Sequence, residues 1–331
     1  MNELFVMIGA LLLVLGILDF IWTTLWVDGG AGPLTDRLST VIWKVLRKVS
    51  GDHPKILSIS GPVILSMTLL MWIILLWAGW TLVFSGNGSA IVHSQDQSPA
   101  TWTERIYFTG YLIFTLGNGD FTPRGAVWQI ATVLATGTGM LFITLGVTYL
   151  LSVLGAVTHK RSFAESVHGV GKSGKALVKN SWNGRHFHNA DLLLNELSSQ
   201  LSRITAQHKA YPILHYYYAE DKNESVPSAV VILDDALTIY HFGMQQEYQP
   251  NQLLVAEARS SIQSYLNTLQ AAKISPASGT THSIDIEDLQ KSGYPTVAKE
   301  DFRQALDGLG ERREKLHKML QANALEWPTE E

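Results

Sequence analysis

The sequence predicts an all-α membrane protein: membrane-length helices in the first half and a mostly helical soluble part in the second. Three observations carry this. Residues 4–27, 61–84 and 128–157 are almost free of charge, and each is long enough to cross a bilayer, which takes about 20 residues. Residues 102–114 are too short to span but apolar enough to dip into the membrane and return. Beyond residue 160 the long apolar runs stop and amphipathic periodicity takes over.

The totals agree. The chain has 331 residues and 46% hydrophobic content, yet its mean hydropathy is only slightly positive, because an apolar first half is averaged with a polar second half. There is no cysteine, which excludes disulfides, zinc–thiolate centres and redox thiols. A net charge of −4 gives no reason to expect a nucleic-acid partner.

The first apolar run carries Glu3 at its start and no Lys or Arg before Arg37. A signal peptide needs a positive leading region, so a retained helix with its N-terminus outside is expected. Asp19 lies inside it. An acid at membrane depth is costly, and it either serves function or bonds to hydroxyls on a neighbouring helix or reaches water; the structural reading is the expectation. Residues 28–60 carry Arg37, Lys44, Arg47, Lys48 and Lys55, which places this loop on the cytoplasmic side. Leu38, Val41, Ile42, Val45, Leu46 and Val49 share one helical face there. The segment reads either as a helix in the inner membrane interface or as one packed on the soluble part. Gly61-Pro62 opens the second span. Trp77 and Trp80 suit an aromatic belt, and residues 85–101 suit an exposed turret.

Between the re-entrant segment and the third span lies Thr115-Leu116-Gly117-Asn118-Gly119-Asp120. Alternating glycines open conformations closed to residues with a Cβ, one way to turn successive carbonyls to the same side. Carbonyls aimed at one axis can replace the water shell of a cation. The stretch resembles the selectivity-filter signature of tetrameric potassium channels, Thr-Val-Gly-Tyr-Gly-Asp. The resemblance extends upstream through Tyr107-Phe108 and downstream through Phe121-Thr122-Pro123, and covers residues 61–160.

The resemblance implies a potassium-channel-like pore, two membrane helices around a re-entrant loop, preceded by an extra N-terminal membrane helix. It implies a homotetramer in which Thr115, Leu116, Gly117, Asn118 and Gly119 bind a monovalent cation through backbone carbonyls, with the Thr115 hydroxyl. Asp120 would shape the outer mouth, and Gly139 would be a gating hinge in the third span. Small residues there also permit close helix packing, and both roles can hold. Two positions depart from the signature: Asn118 replaces the usual aromatic, and Phe114 replaces a threonine. Potassium conduction is the leading expectation, with non-selective cation conduction and a non-conducting signalling or scaffold role as alternatives.

The expected divisions are residues 1–60, 61–160 and 161–331. The third span exceeds a bilayer core and should run on into the cytoplasm, with His159, Lys160 and Arg161 at its end. Gly169 to Ala176 mimics a phosphate-binding loop, but Ala176 lacks the hydroxyl that would ligate magnesium and no strand precedes it, so a flexible basic linker is expected. Further helices are expected over 191–207 (stripe Leu193, Leu197, Leu201, Ile204), 227–241, 253–269 and 300–324, with a loop over 273–299. His186 and His188 form a surface pair lacking a third ligand at metal-site spacing. No catalytic residues and no resident metal are assigned. An enzyme is not expected, nor any cofactor beyond permeant potassium or another monovalent cation. The expected partners are further copies of the chain and the lipid bilayer. The expected location is the cell membrane, with the C-terminal part cytoplasmic.

Overall fold

The computed structural model describes residues 2–27, 30–50, 53–271, 284–323 and 325–329. Residues 273–283 of the expected loop lie outside the described residues, as does Ala324. The chain is overwhelmingly helical, and it divides into two compact units that interleave in sequence.

The first unit comprises Met1–Val45, Gly61–Leu154 and Ala210–Ile213. Its helices are α1 (Glu3–Leu25), most of α2 (Pro33–Ser50), α4 (Ser60–Ser85), α5 (Trp102–Ile113) and the first part of α6 (Ala126–Val170); the short α3 (Pro54–Ser58) belongs to the second unit. Helices within Glu3–Leu25, Lys55–Ser85 and Ala126–Val170 are long and apolar enough to cross a membrane. Their outward faces stay apolar: Leu4, Met7, Leu11 and Leu18 on α1, and Val127, Val133, Met140 and Leu141 on α6, are exposed. Helices that are apolar on all sides belong in lipid, where the backbone must satisfy itself.

Glycine sets how closely α1 and α4 approach. A Cβ on Gly9 would lie 2.7 Å from the Gly79 carbonyl oxygen, and one on Gly79 would lie 2.8 Å from Leu13. Between membrane helices, where lipid competes for apolar contact, such small-residue seams let backbones touch. Asp19 is the polar counterpart of that seam. Its carboxylate is buried and accepts from Leu34 N at 2.7 Å, Thr35 N at 3.2 Å, Thr35 Oγ1 at 2.6 Å and Trp72 Nε1 at 2.8 Å. The acid therefore caps the start of α2, where backbone N–H groups lack helical partners, and ties α1 to α4. Phe20 stacks on Phe142 at 4.2 Å and meets Trp72 edge-on at 4.8 Å, joining α1 to α6 as well.

Residues 85–101 are the exposed turret expected only in part, with residues 94–97 exposed. Ala90, Ile91 and Val92 are buried. Strand β1 (Ile91–His93) pairs antiparallel with β2 (Phe121–Pro123), in the register Ile91 with Pro123 and His93 with Phe121.

The second unit comprises Leu46–Ser60, Gly155–Lys209 and Leu214–Glu331. These units divide the chain differently from the boundaries at 60 and 160, because α6 is one unbroken helix to Val170 and supplies both. Its polar end is not a terminus: Phe163, Ala164 and Val167 enter the second core. Further on come α7 (Gly174–Ser181), α8 (His188–Ala210), α9 (Val226–Thr238), α10 (Gln252–Ala271), α11 (Glu287–Lys291), α12 (Lys299–Asp307) and α13 (Gly310–Ala322). Helix α9 is the centre, with every residue from Ser228 to Thr238 buried, and it runs into a π-helical turn over Ile239–Gly243. A helix with no face open to solvent needs neighbours on all sides.

Three expectations change here. The Gly169–Ala176 stretch is not a flexible linker. Ser173 caps α7 by accepting from Ala176 N at 3.1 Å, and a Cβ on Gly174 would lie 2.5 Å from Asp235. The buried stripe of α8 runs through Leu194 rather than Leu193, since either spacing to Leu197 is helical and Ala190 continues the former. The 300–324 helix is broken near Gly308 into α12 and α13; Leu306 and Leu309, beside the break, are only half-buried, whereas Phe302, Leu316 and Leu320 are buried.

Buried charge locks α13 to α9. Arg312 holds Asp234 through Nε at 2.7 Å, while Asp235 accepts from Arg313 at 3.0 Å and Trp327 Nε1 at 2.8 Å. Burial pushes the Asp235 carboxyl up to about 6, against the pull of Arg313 and Trp327. On α8 and the following 3₁₀ turn (Pro212–Tyr216), burial and then the Lys160 charge hold His215 down to about 4, and His208 is lowered for the same reasons. A histidine whose folded pKa is depressed carries no penalty above about 6.5, and one that grows as pH falls toward the folded value. A His215→Gln chain is therefore expected to lose about 3 kcal/mol of the wild-type protein's acid sensitivity between pH 6.5 and 4, read as the difference between the two unfolding curves across that range.

Candidate ion-conduction site

Helix α5 is seated before the six-residue stretch begins. Glu104 reaches back to accept from Thr101 N at 2.7 Å, half of a capping box. Phe108 through Ile113 are buried. Trp77 Nε1 donates to Ile106 O at 2.9 Å, and Trp80 Nε1 donates to Thr138 Oγ1 at 3.0 Å. Both indoles thus spend their N–H groups inside the unit, which departs from the aromatic belt the sequence suggested. Phe84 meets Phe108 edge-on at 5.3 Å.

Arg105, which the sequence reading passed over, is the anchor of this helix. It is buried and donates to Ala100 O (3.1 Å), Phe84 O (2.8 Å), Asn87 O (2.9 Å) and Gly88 O (2.5 Å). Carbonyls left over at the end of α4 are thereby satisfied by a cation that also suits the negative end of that helix. The signal was available: a lone arginine in an apolar re-entrant segment has to face protein polar groups. Arg105→Met leaves those carbonyls bare and is expected to cost about 3 kcal/mol, measured as a lowered unfolding midpoint in detergent.

The stretch itself leaves helical geometry. Thr115 has φ +55°, Gly117 +61° and Gly119 +80°, while Leu116 and Asn118 between them lie outside the left-handed region. Alternating left-handed residues with ordinary ones turns successive peptide planes the same way. A β-branched residue such as Thr115 rarely adopts a positive φ, so its neighbours must hold it there. Two backbone bonds do so: Thr115 N to Leu112 O at 3.1 Å and Leu116 N to Tyr111 O at 2.8 Å pin the strained residue onto the last turn of α5.

Side chains brace the rest. Asn118 Nδ2 donates to the Tyr107 hydroxyl, which donates to Asp120 Oδ2 at 3.1 Å. Tyr111 donates to Phe121 O at 3.2 Å. From the turret, Ser94 Oγ donates to Gly119 O at 2.6 Å and Ser94 N to Asp120 O at 3.0 Å. Gly119 is therefore set apart from the other four candidate residues, because its carbonyl already has a partner. Residues 114–120 are exposed in the single chain, Leu116 by 66%. Phe114 caps α5 and lies edge-on to Trp77 at 6.1 Å. Tyr107→Phe removes the hydroxyl shared by Asn118 and Asp120. That loss is expected to cost about 1 kcal/mol, measured as a lowered unfolding midpoint in detergent.

Gly139 lies within the unbroken α6, and a Cβ there would sit 2.6 Å from Ile113 O and 2.7 Å from Ile113 Cα. It lets α6 close against the end of α5. His186 and His188 stack at 3.9 Å, and no group of three metal-ligating side chains occurs among the described residues.

Residues 67–156, which contain this whole arrangement, match a family model described as "Ion channel". The chain is 49% identical over 331 residues to a Bacillus subtilis (strain 168) protein described as "Uncharacterized membrane protein YdjJ", covering 100% of this chain and 97% of that one. No solved structure matches the chain.

Proposed function

This chain belongs to the pore-loop ion-channel superfamily, and on that premise we propose that it conducts potassium through a filter shared by four identical chains. One observation carries the reading: left-handed backbone at Thr115, Gly117 and Gly119, held from behind by α5 and left bare in front. Non-helical backbone at membrane depth is tolerated only when buried in protein or facing water. A ring of such loops answers that need and gives a cation its oxygen ligands.

The carbonyls of Thr115, Leu116, Gly117 and Asn118, with the Thr115 hydroxyl, are the proposed ligands. Gly119 positions the last turn through Ser94, and Asp120 shapes the mouth. Asn118 takes the bracing role through Tyr107 that an aromatic ring holds in the resembling signature. Gly139 serves first as the contact that seats α5, and a hinge in α6 at that point would act through the same contact. The basic residues at 37–55 and 159–161 support a cytoplasmic C-terminal unit and an external N-terminus.

Native mass spectrometry of the detergent-purified protein should find four chains of 36.6 kDa, and the same preparation in liposomes should pass potassium passively. Subunits that remain single, or liposomes that stay tight to cations, would overturn the proposal.

A further inference from the structure

Helix α2 begins beside the last turns of α1. Gly32 N donates to Thr23 Oγ1 at 2.9 Å, and Leu34 N and Thr35 N donate to Asp19 at 2.7 and 3.2 Å. At that same end of α1, Trp22 and Trp26 are exposed and stack on each other at 5.1 Å. Exposed tryptophans at the end of a membrane-length helix mark the level of the bilayer–water interface. The first turn of α2 is therefore held near that level.

Along its length α2 has three faces, read at about 100° per residue. Thr35 and Ser39 lie on the first, and both are buried. Val41, Val45 and Val49, one turn apart, form the second, and each is more than half exposed. Arg37, Lys44 and Lys48 lie beyond the valines, and all are exposed. With Arg47 the helix carries four basic residues against the single acid Asp36. Water is a poor neighbour for a row of valines. A second copy's α2 laid on this face would bring like charges together. A layer of anionic headgroups over acyl chains suits both features, because valines enter the acyl boundary while cations meet phosphate oxygens.

We propose that α2 is an anionic-lipid-binding helix, with Val41 and Val45 entering the bilayer surface and Arg37, Lys44 and Lys48 holding phosphodiester headgroups. The Asp19 cap fixes where the helix starts, and the lipid holds the face it presents. This surface rests on the chain's being a membrane protein, not on which cation the filter passes or on whether it conducts.

The chain has no cysteine, so Val45→Cys creates one labelling site. The full-length variant, carrying a nitrobenzoxadiazole dye there, is placed in nanodiscs of phosphatidylcholine, or of phosphatidylcholine with an equal part of phosphatidylglycerol. Some of the lipid bears a nitroxide high on its acyl chain. The expected result is a blue-shifted, nitroxide-quenched dye in the phosphatidylglycerol discs and weaker quenching in phosphatidylcholine alone. Arg37→Gln with Lys44→Gln is expected to bring the quenching in phosphatidylglycerol discs down to the phosphatidylcholine level, since each cation near such a surface is worth roughly fivefold in binding. Arg37→Lys with Lys44→Arg, which keeps both charges, should leave it intact. The proposal is overturned by a dye that stays in water in both discs, by quenching indifferent to phosphatidylglycerol, or by quenching that the two glutamines leave unchanged. A blue shift without nitroxide quenching also overturns it, because protein then covers the face. None of these readouts is an ion flux, so failure here is distinct from failure of the channel reading.

Discussion

Asp19→Leu should unfold the membrane unit well below the wild-type temperature, with a loss on the order of 4 kcal/mol, because the substitution strands four donors at once. Leu34 N, Thr35 N, Thr35 Oγ1 and Trp72 Nε1 all point at one buried carboxylate. Removing a single partner leaves a desolvated donor without compensation, and here the start of α2 loses its cap too. Asp19→Asn keeps the shape and one carbonyl acceptor, so it should lose less. A scanning-fluorimetry series of wild type, Asn and Leu in the same detergent should order them that way. An Asp19→Leu protein as stable as wild type would mean the carboxylate holds nothing together.

The second large effect belongs to Gly117. A Cβ at Gly117 meets nothing within 4 Å in the single chain, so packing there would tolerate alanine. The backbone would not: left-handed geometry costs an ordinary residue roughly 1–2 kcal/mol, and in the proposed tetramer four copies would bear that cost. Gly117→Ala should therefore leave the protein folded and assembled while cutting potassium flux at least on the order of a hundredfold, since rate falls tenfold per 1.4 kcal/mol. Comparing Gly117→Ala with Gly137→Ala, whose added Cβ also meets nothing in the single chain but which lies within regular helix, separates backbone geometry from general damage. Equal flux from both variants would show that the φ alternation has no role in conduction.

Much of this architecture was legible because membrane helices advertise themselves. Uninterrupted apolar length has few other uses, and Glu3–Leu25 and Ser60–Ser85 fall close to where the runs begin and end. The glycine alternation was equally readable, and the φ values at 115, 117 and 119 give it a physical form. What a sequence hides is pairing over distance. Nothing beside Asp19 announces Trp72, 53 positions away, and nothing in a polar turret announces that Ser94 will hold Gly119, 25 positions on.

Local patterns misled in a consistent way. The His159-Lys160-Arg161 cluster looked like a helix end, yet charge at a membrane surface does not stop a helix, and α6 continues to Val170 because Phe163 and Val167 have a second core to enter. Glycines at 171 and 174 looked like flexibility and turned out to be close approaches to Leu177 and Asp235. Trp77 and Trp80 looked like interface anchors because composition cannot say whether an indole N–H faces lipid headgroups or a carbonyl on the next helix.

The proposed function requires the backbone oxygens of this stretch to select potassium. Purified protein in a planar bilayer, with potassium on one side and an equal concentration of sodium on the other, tests it most directly. The expected result is a reversal potential far from zero, with the sign that opposes potassium leaving its compartment. A reversal at zero would contradict it.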